Sequence, residues 1–505
     1  MIHSVLFDDA IKLWWDYEQG FDYGCGFKVV KDCTEIFTVD KFNISFYDLL
    51  PESEHTFRVS MLNSNGIIIK ELGELTVKTL KAKKIINVKN APYFAQGDGK
   101  TDDTQAIQQA LIDCKQDEKV FLPSGVYMSG ALDIKSNTEL LLAEDAVIQG
   151  FDDETKYLPK VQDRFEGRKE ECYRSLINIG TMDEKGDCNT FNVVIRGGAI
   201  FGGGETLRRN IIEREKIAIL KDAGLDKEIN PDVHYARTLP GRKRGRLIRT
   251  FNTKGLIISD CKLGNSPSWN LHFIYSADIT TCGCKIISHG ISNGDGWDPD
   301  SSVNCTIFDT VFDTGDDCVA IKSGKNLEGY LIGRPTDNVK VFDCVSVDGH
   351  GIALGSEMSG GVSNVTVWNS DFEKSNVGIS IKTNEIRGGY LKNIAFYNFK
   401  SPQIRVTSFS GNNDGEPAPV APVLENFTFQ NMELTGIMNL TGTNRKEKVA
   451  AVEICGYPNG NSLKNLTLKN IKMKYTALDP KHLIDLYYVE NVTLENIICI
   501  GESED

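Results

Sequence analysis

The chain has 505 residues, 46 of them glycine and 15 proline, and 40% of its residues are hydrophobic, which excludes a disordered protein. Its formal net charge of −14 argues against nucleic acid as a partner, and no apolar stretch of about 18 residues is present to span a membrane. The odd count of 13 cysteines excludes a simple disulfide framework and favours a reducing cytoplasm.

The first residues, MIHSVLFDDAIKLWW, do not have the pattern of a signal peptide. A basic segment and a long apolar core are both missing, and Asp8 and Asp9 interrupt the apolar residues. We therefore expect a cytoplasmic protein, or a secreted one if a signal has been removed. The sequence does not predict an oligomeric state.

Residues 1–82 are predicted to form a separate small β-sandwich. Short alternating strands are expected at residues 11–15, 26–30, 56–60 and 75–79. The segment LLPESEHTFRV (residues 49–59) resembles the L-x-P-x-T-x-Y segment of fibronectin type III modules, with His55 in place of the tyrosine. Two interpretations stay open, a sugar-binding or spacing module and a packed N-terminal cap.

A short helix is predicted after the segment NAPYFAQGDGKTDD (residues 90–103). Thr101, Asp102 and Asp103 supply oxygen acceptors and negative charge at its start, and the apolar residues that follow keep helical spacing. The segment resembles the entry of pectin-lyase-type β-helices. The helix is therefore expected to cover the end of a stacked sheet, and its acids are expected to be structural.

From Val120 onward the chain is repetitive. A polar or glycine corner followed by alternating apolar residues recurs, in steps from 23 residues (Gly255 to Asp278) to 39 residues (Asn426 to Asn465). The corners lie at Gly255, Asp278, Asn304, Asn338, Asn364, Asn393, Asn426, Asn465 and Asn491. Strand repeats of this length favour a right-handed parallel β-helix over residues 83–505, with the asparagines as scaffold. The predicted fold class is thus all-β.

Residues 151–245 interrupt this pattern with long charged segments, which are expected to form walls of a binding cleft. The basic run from Arg242 to Arg249 either lines such a wall or forms a solvated turn.

Residues 293–322, NGDGWDPDSSVNCTIFDTVFDTGDDCVAIK, contain seven aspartates. Carboxylates on adjacent coils raise one another's pKa unless they share protons or bind a cation. Paired acids suit glycoside hydrolysis, in which one carboxyl donates a proton and another activates water. A calcium loop is the alternative interpretation of this segment taken alone.

Further along stand GHG at residues 349–351 and IKTN at residues 381–384. The ordered set NGD, GDD, GHG and I-K resembles glycoside hydrolase family 28, the polygalacturonases, from about Ile86 to the C-terminus. Two positions differ from the family pattern: Gly294 replaces a threonine and Ser380 replaces an arginine.

The resemblance implies an inverting hydrolase of α-1,4-galacturonosidic bonds in a pectic oligo- or polysaccharide. Exo action is expected, because the insertions and the extra β domain are similar to those of exo-acting members. Asp316 would be the general acid, Asp295 and Asp317 would activate water, His350 would tune the acid, and Lys382 would hold the substrate carboxylate. No cofactor and no metal are expected.

Additional substrate contacts are predicted from charge and position. Lys322 and Arg387 flank the acids, Asn293 belongs to the first acidic motif, and Trp297 could stack on a sugar ring. Because Ser380 cannot provide a planar guanidinium, either Arg387 supplies that charge or the substrate is a modified pectin such as rhamnogalacturonan or xylogalacturonan. The alternatives are a polysaccharide lyase and a non-catalytic carbohydrate-binding β-helix.

Overall fold

The computed structural model describes residues 1–18, 20–21, 25–222, 241–408, 415–458, 461–475 and 483–501. Residues 2–78 contain two antiparallel sheets, here called the N-terminal sandwich. One sheet has three strands, Ile2–Leu6, Ile11–Trp15 and Asn43–Phe46. The other has four, Glu35–Val39, Gly26–Lys31, Glu54–Leu62 and Ile68–Lys78. The predicted sandwich is confirmed, whereas its fibronectin type III character and the domain boundary at residue 82 stay predictions.

The remainder is built of parallel strands that stack coil upon coil, as predicted. The first stack contains Lys84–Asn87, Glu118–Leu122, Glu139–Leu142, Thr190–Arg196, Thr253–Ser259, Ala277–Cys282, Val303–Phe308 and Thr336–Phe342. The second contains Asp98–Asp102, Gly125–Ser129, Ala146–Gly150, Ala199–Phe201, Lys262–Gly264, Lys285–Ile287, Val311–Asp313 and Val345–Asp348. Both stacks continue in the long strands Val362–Asp371, Tyr390–Ser401, Val423–Leu434, Leu463–Tyr475 and Val489–Gly501.

A third stack of eleven parallel strands is here called the site sheet. Its strands are Leu132–Ile134, Ile177–Ile179, Ile248–Phe251, Leu271–Ile274, Trp297–Asp300, Val319–Ile321, Gly351–Leu354, Gly378–Thr383, Gln403–Ser408, Val452–Cys455 and Ile484–Tyr487. After the first coil, which ends in a helix, the coils thus contribute to three stacks around one apolar interior, which is a parallel β-helix.

Smaller elements decorate the coils. The helices are Thr104–Asp113, Gly204–Asp222 and Asn326–Ile332, with 3-10 turns at Glu154–Tyr157 and Gly241–Lys243. Two hairpins are formed by Val161–Phe165 with Arg168–Cys172 and by Ile437–Asn439 with Lys446–Lys448. None of the described helices is both long and apolar enough to cross a bilayer.

The corner asparagines are scaffold, as predicted. Residues such as Asn304, Asn393 and Asn465 have φ near +55 to +62°, a left-handed conformation that asparagine tolerates better than most residues. Their side-chain amides donate to the corner of the preceding coil, for example Asn393 to Asn364 at 2.9 Å and Asn465 to Asn426 at 2.8 Å. These side chains are therefore committed to holding adjacent coils in register.

The helix Thr104–Asp113 covers the N-terminal end of the coils by burying Ile107, Ala110 and Leu111. The acid before it is structural, as predicted, but it does not cap the helix. The Asp103 carboxylate instead accepts hydrogen bonds from the backbone amides of Gln96 and Gly97, at 2.7 and 2.9 Å.

The N-terminal sandwich packs on the outer face of the first stack. Trp14 and Phe42 join one buried cluster with Phe308, Phe342 and Trp368, whose rings form a ladder across successive coils. The Asp343 carboxylate accepts from the backbone amide of Phe42 and the side chain of Asn43, both at 2.7 Å. The sandwich is thus packed as a cap rather than held as a free spacer.

Cys282 and Cys284, which are separated by one residue, lie in different environments. Cys284 lies in the coil interior, as do Cys261 and Cys305, whereas Cys282 faces the N-terminal sandwich. Cys282 differs from the other three because its strand alternates between the interior and the covered outer face.

Candidate active site

The predicted catalytic residues meet at the start of three successive strands of the site sheet. Trp297, Val319 and Ile352 are paired across these strands, and Asp295, Asp317 and His350 each lie two residues before them. Because adjacent coils are about 4.8 Å apart, the three side chains form a row across the coils. Asp316 lies beside this row, and its carboxylate, that of Asp317 and the His350 imidazole approach within 4.8 Å of one another.

Each carboxylate of the cluster contacts a different cationic side chain. Lys322 Nζ donates to Asp295 Oδ2 at 2.9 Å, and Lys382 Nζ donates to Asp317 Oδ2 at 2.8 Å. His350 Nδ1 lies 2.8 Å from Asp316 Oδ1. Three negative charges in a small volume are thus balanced by up to three positive ones, which lets the acids remain close together.

The pKa values of Asp295 and Asp316 are shifted in opposite directions. Burial, together with the negative charges of Asp316 and Asp317, raises the pKa of Asp295 to about 7. Burial also tends to raise the pKa of Asp316, but the adjacent His350, Lys382 and Lys322 hold that pKa well below its usual range. Burial tends to lower the pKa of His350, and the charge of Asp316 outweighs this and raises it to about 8.

Before substrate binds, Asp295 is therefore protonated more readily than Asp316, because the imidazolium of His350 keeps Asp316 ionised. The sequence assigns the proton to Asp316, so the predicted roles of general acid and water-activating base stay predictions.

A fourth aspartate lies behind the cluster. Asp298 is fully buried, lies 3.7 Å from Lys322 Nζ, and its oxygens meet no hydrogen-bond donor within the described part of the chain. Burial and the charges of Asp295 and Asp317 raise the pKa of Asp298 well above its usual range. The predicted substrate contact Lys322 thus lies at the cleft base between two acids, with its Nζ 4.5 Å from the ring centroid of Trp269.

One end of the cleft is closed by residues that the sequence does not single out. Glu166 at the turn of the hairpin formed by residues 161–172 and Trp269 both line the cleft and are 3% exposed. Arg242 Nε donates to Glu166 at 3.0 Å, and Arg246 lies 4.6 Å from the Trp269 ring centroid. Arg244 Nη2 donates to Asn293 Oδ1 at 2.9 Å, so the predicted contact Asn293 is fixed in the cleft wall.

The basic run from Arg242 to Arg249 is therefore part of a wall rather than a solvated turn. Its arginines are at most 6% exposed, and Arg249 packs over Phe251 in the site sheet. Much of the predicted wall insertion, residues 151–245, is described: it contains coil strands, the hairpin and the helix Gly204–Asp222, while residues 223–240 lie outside the described residues.

Two predicted substrate contacts are wrong. Trp297 has no exposed surface, points into the coil interior and donates from Nε1 to Thr281 Oγ1 at 3.0 Å. Alternation along the strand explains this, because Trp297 and Pro299 face inward when Asp298 and Asp300 face outward.

Arg387 is also fully buried. Its Nε donates to the Ser356 carbonyl at 2.8 Å, and its Nη1 donates to Asn326 Oδ1. Arg387 also helps to hold the pKa of Glu357 below its usual range, against the effect of burial. Ser356 and Glu357 line the cleft, so Arg387 supports the cleft wall instead of facing the substrate.

One face of the parallel β-helix presents three aspartates, a histidine and two lysines. This combination of fold and side chains is that of a glycosidase. A family model described as Glycosyl hydrolases family 28 matches residues 189–493, which is 305 of the 505 residues, and the chain belongs to this family. A second model, described as Rhamnogalacturonase A/epimerase, pectate lyase-like, matches residues 85–141.

Relatives extend the comparison. The chain is 25% identical to an exo-poly-alpha-D-galacturonosidase of Dickeya chrysanthemi, over 88% of this chain and 76% of that protein. It is 30% identical to a probable polygalacturonase of Vitis vinifera, over 76% of this chain and 75% of that protein.

Solved structures confirm the right-handed parallel β-helix. A family 28 exopolygalacturonase of Yersinia enterocolitica superposes with a TM-score of 0.81 at 20% identity, over 98% of this chain and 96% of that chain. An exopolygalacturonase of Thermotoga maritima superposes with a TM-score of 0.66 at 25% identity, over 82% and 91% of the two chains.

Proposed function

We propose that the protein hydrolyses α-1,4-galacturonosidic bonds of pectic oligo- or polysaccharides and acts from a chain end. The observation that carries the proposal is the cluster of Asp295, Asp316 and Asp317 with one cationic partner each. The names of the relatives, an exo-poly-alpha-D-galacturonosidase and a probable polygalacturonase, support the substrate class.

The cluster has the groups that an inverting hydrolysis needs. One carboxyl must protonate the leaving oxygen, and an ionised carboxylate must take a proton from the attacking water. Asp316 is the proposed acid, and Asp295 and Asp317 are the proposed pair that holds the water. Lys382 is the proposed contact for the substrate carboxylate, and in the free protein its Nζ donates to Asp317.

His350 can supply the proton that this assignment requires. In the free protein the proton resides on His350, which contacts Asp316 at 2.8 Å. A bound galacturonate adds negative charge and competes for Lys382, and both effects raise the pKa values of nearby carboxyls. The proton can then move along the short contact from His350 to Asp316, which becomes the donor to the leaving oxygen.

The shape of the cleft supports action from a chain end. On the coils before Asp295, Trp269 and Arg246 are at most 3% exposed. The hairpin packs on both, since Phe165 stacks on the Trp269 ring and the Arg164 carbonyl accepts from Arg246 Nη2. On the coils after Lys382, the side chains of Arg405 and Glu453 are 43% and 38% exposed. A polysaccharide can therefore enter from the later coils and meets a wall at the earlier ones.

Reducing-sugar release from polygalacturonate and from digalacturonate, each with and without a chelator, tests the proposal. Hydrolysis of both substrates, unchanged by chelator, is expected, because Lys382 and His350 already provide the positive charge beside the acids. Activity that is lost with chelator and restored by calcium, together with unsaturated products, would identify a lyase instead. If the folded protein releases sugar from neither substrate, a non-catalytic carbohydrate-binding protein would be the remaining interpretation.

A further inference from the structure

An arginine lies beside Ser380 on the next coil. In the site sheet Ser380 is paired in register with Arg405, between the pairs Ile379 with Ile404 and Ile381 with Val406. The four flanking residues are fully buried in the coil interior, so Ser380 and Arg405 project to the opposite, outer face. That face also carries Lys382. The side chain of Arg405 therefore starts one coil, about 4.8 Å, beyond the small side chain of Ser380.

Small side chains separate this arginine from the acids. The outward row that contains Arg405 runs, coil by coil, through Asp298, Ala320, Ala353 and Ser380. Ala320, Ala353 and Ser380 are small and at most 8% exposed, so the large outward side chain nearest to Ser380 in this row is that of Arg405 on the next coil.

The positive charge of Arg405 is accessible. Its Nε donates to Glu453 Oε2 on the following coil at 3.1 Å, and this contact does not engage the two Nη groups. Both side chains are more than a third exposed, and exposed ion pairs of this kind contribute only about 0 to 1 kcal/mol. A carboxylate in the cleft can therefore compete for the guanidinium. Lys382, in contrast, is already bound to Asp317 by both carboxylate oxygens.

We propose that Arg405 is a specificity-determining residue that binds the carboxylate of a galacturonate unit on the open side of the cleft, where Ser380 provides no charge. This assignment rests on the proposed function. The planar guanidinium of Arg405 can bind both oxygens of a carboxylate at once, which a lysine ammonium cannot do. Arg405, on the coil after Ser380, thus provides the guanidinium that the buried Arg387 does not offer to the substrate.

The test compares Arg405→Ala with wild type on trigalacturonate and on its methyl ester. Arg405→Ala is expected to raise KM for the acid form about tenfold or more, the size of one charge-assisted hydrogen bond, and to leave KM for the ester within about twofold of wild type. Arg58→Ala is the matched control, since Arg58 forms an exposed pair with Glu74 in the N-terminal sandwich, away from the cleft. It should change neither KM.

Each outcome decides one question. An unchanged KM of Arg405→Ala for the acid form would overturn the assignment, and an equal rise for acid and ester would show that Arg405 does not recognise the carboxylate. Because Arg405 is partly exposed, its replacement should leave the thermal midpoint unchanged, and a lowered midpoint would assign it a structural role instead. If wild type hydrolyses neither form, the proposed function itself is wrong.

Discussion

Asp316 has the contact that a proton donor needs, because its oxygen lies 2.8 Å from His350 and its side chain is 19% exposed to the cleft. Asp316→Asn should lower kcat at least about a hundredfold, since an amide cannot donate the required proton. The volume barely changes, so the unfolding midpoint should stay near that of wild type. Measuring kcat on digalacturonate checks this. Near-normal turnover in the folded variant would exclude Asp316 as the acid.

The protons of the cluster set a pH limit for activity. The pKa values of Asp295 and His350 are raised to about 7 and about 8, so both groups hold protons below that range and lose them as the pH rises through it. Because Asp295 must be ionised to activate water and His350 must be protonated to supply Asp316, we expect kcat/KM to rise as the pH passes about 7 and to fall as it passes about 8. His350→Gln should lose the fall on the alkaline side. His289→Gln, at an imidazole whose side chain is 51% exposed, is the control and should retain the whole profile.

Arg387 is expected to act on stability. Its replacement by alanine leaves the Ser356 carbonyl without its charged donor and should lower the free energy of unfolding by about 1.5 to 3 kcal/mol. Urea unfolding measures this loss. A variant of unchanged stability with a KM raised for acidic substrates would return Arg387 to the substrate-binding role that the sequence suggests.

At the scale of the elements, apolar alternation and asparagine corners predict the coils well. The same alternation, applied to WDPD, indicates that Trp297 faces inward, so this residue could have been placed correctly from sequence. Arg405 could not, because it lies 25 residues after Ser380 and the coils vary from 23 to 39 residues. Glu166 and Trp269 reach the cleft from distant segments, and no spacing rule connects them to Asp295.

The hairpin of residues 161–172 is expected to determine where the substrate ends. Gly167 has φ +73°, and a Cβ there would lie 2.8 Å from Lys325 Cβ and 2.9 Å from its backbone nitrogen. Gly167→Ala should displace the hairpin from this contact and allow products longer than one sugar. Gly66→Ala, at φ +74° with no atom within 4 Å, is the control for backbone strain alone. Chromatography that shows only monosaccharide from both variants would argue against the hairpin as the wall.

At the scale of the whole molecule, the N-terminal sandwich stabilises the solenoid without lining the cleft among the described residues. Trp14→Ala removes a buried ring that packs on Phe342, and it should cost about 3 to 5 kcal/mol of stability while KM stays unchanged. Ile36→Ala, at a residue that is 61% exposed, should change neither quantity. A raised KM for folded Trp14→Ala would indicate that the sandwich contributes to substrate binding.

The family and fold could be predicted because four short motifs and one repeat pattern are continuous in sequence. The docking of the sandwich could not, since it depends on an aromatic ladder assembled from Phe308, Phe342 and Trp368 on separate coils. When each strand is considered alone, its aromatic side chains are assigned to the coil interior.

The first product formed from polygalacturonate tests the central claim most directly. Nuclear magnetic resonance of the early reaction should show free galacturonic acid appearing as the β-anomer, because direct attack of water inverts the α linkage. Release from chain ends should leave the viscosity of the polymer high during the early reaction. Early formation of the α-anomer, of unsaturated sugars, or of long oligomers with a rapid loss of viscosity would contradict an inverting hydrolase that acts at a closed cleft.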